Sequence, residues 1–508
     1  MSSHIIKKME LVSLVKFFVP FAVKAKSILH LPLIKKRIHS TMSPQPKTFF
    51  RNYHRPGGVK ELLVLSLPMI ISMACDGIMV FTDRLFLARV DSVQMNAVLG
   101  GGIALEVLLF FFIGLTGYST ALVAQYYGAA EKQNAPKATF QAMLIALLAW
   151  PIILLLKPVV ISFFYLMHIP LSQVGYQIQY LNILAWCSVF GLLRHVLSCY
   201  FSGIGHTRVV MNATLAALLV NIVLDYILIF GKLGLEPMGI RGAGIATVSG
   251  EAAAMLMLFY AYLRRNNRFE FGVLKSFRFN WPVMRTLLYY GSPAGLEMFL
   301  NFMAFACMVG LFQGQGEVAA TASTIMFNWD MVSFIPLIGI EIGVTSLVGR
   351  YMGAGRTVLA EHAAYSGIKI GVFYSAAILL LFVSIPVQLV HVFHPDTPTA
   401  IYTQVVPIAV SMIRIAALYV LAEAVTVALV GALRGAGDTY FTMFASISVH
   451  WLFVPILYLS LNVFHLSVPL SWFFLILLFF VFCTVLILRF RGGKWKKIKV
   501  IESVEKSN

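Results

Sequence analysis

Twelve stretches of this chain are long and apolar enough to cross about 30 Å of hydrocarbon, and no other feature constrains the fold as much. They fall near residues 61–86, 97–124, 137–157, 176–202, 209–231, 240–263, 283–312, 318–348, 362–385, 402–433, 439–463 and 467–488. In lipid the backbone must satisfy its own hydrogen bonds, so runs of this length read as helices. The expected fold class is an all-α polytopic membrane protein with twelve transmembrane helices. Hydrophobic residues make up 59% of the 508 and charged ones only 12%. No window of about a hundred residues has ordinary charge density, which excludes a separate soluble catalytic domain. Several runs exceed the minimum for a span, so tilt or kinks at Pro68, Pro151, Pro293, Pro336 and Pro455 are expected.

The net charge of +18 is concentrated at the ends. Residues 1–60 hold 12 Lys/Arg against one acid and residues 489–508 hold 7 against 2, whereas the 428 between hold 20 against 18. Basic tails flanking an apolar body suit anionic lipid and retention on the cytoplasmic side, and argue against a nucleic-acid partner. The linker from Arg264 to Arg285 holds six Arg/Lys, while 313–317, 386–401 and 464–466 hold none. Both termini are therefore expected in the cytoplasm, with the chain in the plasma (inner) membrane and the bilayer as its surroundings. Arg84, Arg89, Lys157, Lys232 and Arg241 fall on the opposite side and weaken the bias without reversing it. The division expected is a basic extension at 1–59, a first lobe at 60–263, a basic linker at 264–285, a second lobe at 286–488 and a basic tail at 489–508. The opening segment is Lys-rich with few serines, which favours an interfacial or disordered extension; an organellar transit peptide is the alternative. Cys75, Cys187, Cys199, Cys307 and Cys483 lie scattered in apolar stretches with no metal-ligand spacing, so neither a disulfide framework nor a metal site is expected.

An internal repeat organises the spans. Residues 113–129 superpose on 338–354 at an offset of 225 with 8 identities in 17 positions, and Pro68 falls on Pro293 at that offset. Ser202-Gly203-Ile204-Gly205-His206-Thr207 matches Arg434-Gly435-Ala436-Gly437-Asp438-Thr439 at an offset of 232. Six spans per repeat make the two copies enter the membrane in the same sense. They should be related by a pseudo-twofold axis along the membrane normal, with a central cavity between two six-helix bundles.

Ionisable residues within spans are costly and usually face a cavity or a partner. The candidates are Asp76, Asp83, Glu106, Asp225, Glu251, Glu297, Asp330, Glu341 and Glu423. Depth alone puts Asp83 and Asp225 in the outer half of the first bundle, where they can share a pocket. Asn221 lies one turn before Asp225 on the same helix face, and its amide can donate to a carboxylate. Such a desolvated pair can take up and release a proton as a coupled carrier requires. The competing reading pairs Asp83 with Arg84 or Arg89. Glu297 and Glu423 sit near mid-membrane in the second bundle, where two anions in an apolar cavity would attract a lipophilic cation. Asp330 and Glu341 read equally well as packing positions, and Glu106 as a local cap or pair. His195, His362 and His450 read as packing histidines. No GxSxG, HExxH or Walker A pattern occurs, so neither an enzyme nor ATP-driven transport by this chain is expected, and no cofactor.

Together these residues resemble the multidrug and toxic compound extrusion (MATE) transporters over about 60–488. The resemblance rests on the Pro68 to Asp83 spacing, on Val-Ala-Gln-Tyr-Tyr-Gly-Ala at 123–129 and on its copy at 348–354. It rests further on Asn221-x-x-x-Asp225 followed by Gly239-Ile-Arg-Gly242-Ala-Gly244, and on Leu433-Arg434-Gly435-Ala-Gly437-Asp438-Thr439. It implies a V-shaped pair of six-helix lobes, acting as a monomer, that export small organic compounds by antiport with H+ or Na+. It further implies that Asp83, Asn221 and Asp225 serve cation coupling, that Glu423 is the acid of the tenth span, and that Pro68 is a hinge. The seventh-span acid of NorM-like members falls where this chain has Asn301, with Glu297 one turn earlier. That departure favours a DinF-like rather than NorM-like member, with H+ preferred over Na+. On this reading protonation of Asp83 and Asp225 from outside bends the first span at Pro68 and releases a cationic compound. A lipid-linked precursor flippase, an exporter of one specific metabolite and a channel are the alternatives.

Overall fold

The computed structural model describes residues 53–166, 170–393 and 400–501, so most of the expected N-terminal extension and residues 502–508 of the expected tail lie outside the described residues. The first half comprises α1 (Val59–Ala88), α2 (Ser92–Gly117) continued by α3 (Ser119–Gly128), α4 (Asn134–Leu166), α5 (Leu171–Gly203), α6 (Thr207–Phe230) and α7 (Ile240–Leu263). A short α8 (Arg265–Phe271) and a 3-10 turn lead into the second half. That half comprises α9 (Trp281–Gln313), α10 (Glu317–Gly353), α11 (Thr357–Ser384), the short α12 (Pro386–His391), α13 (Ala400–Ala436), α14 (Thr439–Tyr458) and α15 (Val468–Arg491). With α2 and α3 taken as one, twelve of these helices are long and apolar enough to span a bilayer.

Local chemistry sets the helix ends. The Asp91 side chain accepts from the Val93 N–H at the start of α2, and Asn280 does the same for Val283 at the start of α9, which satisfies donors that a first turn leaves open. Gly231 closes α6 in the left-handed conformation. All five expected prolines lie inside helices, as do Pro158 and Pro407. After Pro455, α14 ends in a π turn at Leu459–Val463, as expected where proline removes a backbone donor.

The repeat is visible atom by atom. A Cβ on Gly128 would strike the Arg350 carbonyl, and a Cβ on Gly353 would strike the Gln125 carbonyl. Both pairs of counterparts, 125 with 350 and 128 with 353, differ by 225. Likewise Gly114 meets Gly295 while Gly339 meets Ile70, again 225 apart. When residue i touches j and their counterparts touch in exchange, the halves are related by a twofold operation. Ala130 and Gly355, also 225 apart, both adopt positive φ, as do Gly205 and Gly437 in the second motif. Small residues at these crossings let backbones approach closely, which is how helices associate where lipid removes the usual hydrophobic drive.

These crossings gather toward one face, the one carrying both described ends and here called the basic face. Hydrogen bonds between the halves cluster there: Gln125 Nε2 to the Gly435 carbonyl at 2.8 Å, Ser346 Oγ to the Ser202 carbonyl at 2.6 Å, and Ser366 Oγ to the Gly57 carbonyl at 2.8 Å. One apolar cluster near this face combines Leu62 and Leu65 with Ile340, Val344, Leu347 and Val348. Trp495 is buried on Phe490 just beyond α15, and Val500 reaches Gly437 and the first-half core. Toward the opposite face the clusters are private to each half: Phe86, Leu87, Val98 and Ile229 in one, Phe312, Phe382, Val405 and Leu475 in the other. The hydrogen bonds and close backbone crossings between the halves are thus concentrated on the basic face.

Candidate functional site

Asp83 on α1, Asn221 and Asp225 on α6 and Thr247 on α7 meet in the interior of the first half. All of the first three are buried. Gly250 and Gly242 of α7 allow α6 to lie close, the first against Ala217 and Asn221 and the second against Leu228 and Ile229. That contact fixes the face of α6 that Asn221 and Asp225 share. Asn221 Nδ2 donates to Asp83 Oδ1 at 3.1 Å and Thr247 Oγ1 donates to Asp83 Oδ2 at 2.8 Å. Asp225 stands beside both the Asp83 carboxyl and the Asn221 amide, and neither of its oxygens makes a hydrogen bond of good geometry. Two bare carboxylates in contact repel, and a single proton held between them removes the repulsion and satisfies both. Among the described residues Asp83 forms no ion pair with Arg84 or Arg89, and the Arg84 Nε has no partner.

The second-half candidates do not assemble as expected. Glu297 on α9 is paired with Arg434 at 3.1 Å, and the same guanidinium holds Glu341 of α10 at 2.7 Å. Glu297 is 3% exposed and shares that one guanidinium with Glu341. Glu297 and Glu423, expected as two mid-depth anions in one apolar cavity, thus have different neighbours in the structure. Asn301 donates to Ser446 Oγ on α14 at 2.8 Å. Glu423 on α13 lies near enough to Asp330 of α10 to feel its charge, and the Asp330 carboxylate accepts a hydrogen bond from Tyr419, one turn before Glu423. The Glu423 Oε2 is buried with no partner. Asp330 therefore joins Glu423 as a second acid pair.

The first half also contains an arginine bridge. Arg194 of α5 holds Asp76 of α1 through two contacts at 2.7 and 2.9 Å and Glu251 of α7 at 2.5 Å. Asp76 and Glu251 thus neutralise a buried guanidinium. His195 contacts the Ile113 carbonyl and Cys199, a packed position as expected. Pro68 lies inside a continuous α1. Among the described residues no group of His, Cys, Asp and Glu is arranged to hold a metal ion.

Sequence reasoning missed Thr247, Asp330 as the neighbour of Glu423, and the partners of Arg434. A threonine inside an apolar run carries no signal of its own. Helix spacing reports the face of one helix and cannot tell which face of another helix meets it.

The family described as MatE matches residues 68–227 and 293–459, one block per half. Multidrug resistance protein PmpM of Pseudomonas aeruginosa is 30% identical over 402 residues, covering 77% of this chain and 82% of that protein. A probable multidrug resistance protein NorM of Thermotoga maritima is 27% identical over 466 residues, covering 89% and 97%. Among solved structures, one described as "Outward-facing conformation of a multidrug resistance MATE family transporter of the MOP superfamily" superposes with a TM-score of 0.79 at 20% identity, covering 90% of this chain and all of the other. Another, described as "Crystal structure of MATE in the straight conformation", gives 0.78 at 20% identity over 89% of this chain.

Proposed function

The chain belongs to the MATE family of transporters, and on that premise we propose that it exports lipophilic organic cations in exchange for protons through the buried pair Asp83 and Asp225. The observation that carries this reading is a pair of neighbouring buried acids that are held unequally: Asp83 accepts from Asn221 and Thr247, while neither Asp225 oxygen makes a hydrogen bond of good geometry. A proton taken up by the pair has one place where it resolves both groups at once. Loss of that proton doubles the negative charge of the pair in an apolar interior, which attracts a cationic compound. Binding of one cation and then the other alternates the charge of the site, as an exchanger requires.

Proton uptake changes the contacts holding α1 to α6 and α7, because a protonated Asp225 becomes a further donor to the Asp83 carboxylate that Asn221 and Thr247 already hold. Pro68, lower on α1, is where the helix has lost a backbone hydrogen bond and bends at least cost. Rocking of the halves about the basic-face contacts then alternates access. The multidrug resistance names of the relatives from Pseudomonas aeruginosa and Thermotoga maritima support a broad substrate range. The commitment of Glu297 to Arg434 supports coupling in the first half, the DinF-like arrangement, over a NorM-like site in the second.

The test is uptake of a fluorescent organic cation into inside-out vesicles under an imposed pH gradient. Uptake abolished by an ionophore that removes only that gradient, and by Asp83→Asn or Asp225→Asn in protein that folds normally, supports the reading. Full uptake by either variant overturns it, and uptake that follows a Na+ gradient instead moves the coupling ion to Na+.

A further inference from the structure

Away from the buried acids, the basic face carries a cavity of about 610 Å³ where the start of α1 meets the end of α10. Its charge is lopsided. Arg55 and Lys60 come from the first half and Arg350 from the second, with His54 beside them, against Glu61 as the acid of the lining. With His54 neutral that is three positive charges against one negative. Glu61 is already engaged, since one of its oxygens accepts from the Gly57 N–H at 2.8 Å and from the Tyr351 hydroxyl at 2.7 Å. Among the described residues Arg55, Lys60 and Arg350 form no ion pair.

Arg350 is nonetheless held in place. Its guanidinium lies over the Tyr127 ring, 4.9 Å from the centroid, and beside Gly205, whose positive φ and missing Cβ leave room for it. Its Nε is buried without a hydrogen-bond partner. A buried donor left unmade is costly, and a planar guanidinium matches the oxygens of phosphate in a way that a point charge does not.

We propose that this cavity binds a phosphate group, clasped by Arg350 from one half and by Arg55 and Lys60 from the other. Arg350 comes from one half and Arg55 and Lys60 from the other, so an anion held by all three favours the conformer in which the halves meet on this face. The phosphate arrives either on an anionic lipid or free in solution; the chemistry in the cavity is the same. The site is separate from Asp83 and Asp225 and stands whether or not they couple protons.

The experiment uses the full chain in nanodiscs of zwitterionic lipid at about 0.15 M salt, where diffuse surface attraction is largely screened. Its thermal unfolding midpoint is followed against inorganic phosphate and, separately, against a short-chain phosphatidylglycerol. A saturable rise with at least one of them is expected: with inorganic phosphate if the ligand is free, with the lipid alone if it is a headgroup. Arg55→Gln with Lys60→Gln should weaken that ligand on the order of tenfold. Arg264→Gln with Arg265→Gln, the same charge change at the end of α7, should leave it unchanged. Arg350→Lys keeps the charge and loses the fork; it should weaken binding on the order of tenfold, read as the ligand-induced rise above the variant's own ligand-free midpoint. No rise with either ligand, equal weakening by both double variants, or unaltered binding by Arg350→Lys overturns the proposal.

Discussion

Each half of the molecule contains an arginine that bridges two acids and, apart from it, two further buried acids near one another, but the two halves distribute burial and donors differently. Arg194 is shared by Asp76 and Glu251, which keep 32% and 23% of their side-chain surface, whereas Arg434 is shared by Glu297 at 3% and Glu341 at 18%. Arg434 itself is the more open of the two arginines, at 26% against 12%, but its acids are the more buried and, stripped of their partner, have less water to turn to. The acid pairs differ in the other direction. Asp83 has the amide of Asn221 and the hydroxyl of Thr247, while Asp330 has the hydroxyl of Tyr419 and Glu423 has an oxygen without a partner. A carboxylate ligated by two donors can remain charged while its neighbour holds the proton. Like residues thus make a structural lock in one half and a candidate ion switch in the other.

The largest effect that would test this contrast is on stability. Arg434→Gln should cost about 3–5 kcal/mol by leaving Glu297 and Glu341 buried and unpaired, read as loss of folded protein in detergent or a steep fall in unfolding midpoint. Arg194→Gln should cost clearly less, and an equal cost would erase the distinction between the bridges. Next comes coupling: Asp83→Asn should reduce pH-gradient-driven uptake by on the order of a hundredfold, with Glu423→Gln retaining most of it. The reverse ranking would move the switch to the second half. Thr247→Val removes one of two donors to Asp83, worth about 1.5–3 kcal/mol toward a charged acceptor, and should move the acid limb of the uptake profile. The sign is fixed by chemistry: a donor to the ionised form holds the proton off, so its loss shifts the profile to higher pH. Tyr419→Phe should be the mildest for transport, leaving that profile in place while lowering the unfolding midpoint by a few degrees.

A third contrast separates the two faces. Gly128→Ala and Gly353→Ala each drive a methyl group onto a backbone carbonyl of the other half, and the twofold relation makes their effects alike in size. Both should shorten the lifetime of the conformer closed on the basic face, measurable as spin-label separation between residues near Glu131 and Arg356. Wholly different effects from the two would contradict the reciprocity of the contacts.

Much of the fold was legible because the signals are local or periodic. The twelve runs needed only length and hydropathy, and all of them appear as helices. The repeat needed only identities at a fixed offset, and its glycines are the residues that meet across the interface. The family followed from motifs in order along the chain, and the MatE match covers the blocks that carry them. The first-half site was partly legible: Asn221 and Asp225 share a face because four residues make about one turn, and depth put Asp83 at their level. The second-half site was not, because depth places Glu297 and Glu423 at similar heights and says nothing about which neighbour each one faces.

By itself the sequence determined that this chain is a twelve-span helical membrane protein with a duplicated plan and rare acids at mid-depth, since hydropathy, helical period and repeat offset are properties of the chain alone. Only the tertiary structure decided which acids stand free and which are spent. Arg434 lies at the end of a span and reads from the sequence as a loop cation, but helix crossing turns it inward onto Glu297 and Glu341. The closing of the halves on the basic face is likewise tertiary. It depends on glycines meeting carbonyls from a helix more than two hundred residues away, a contact set by the packing of the two repeats and by no local preference of either.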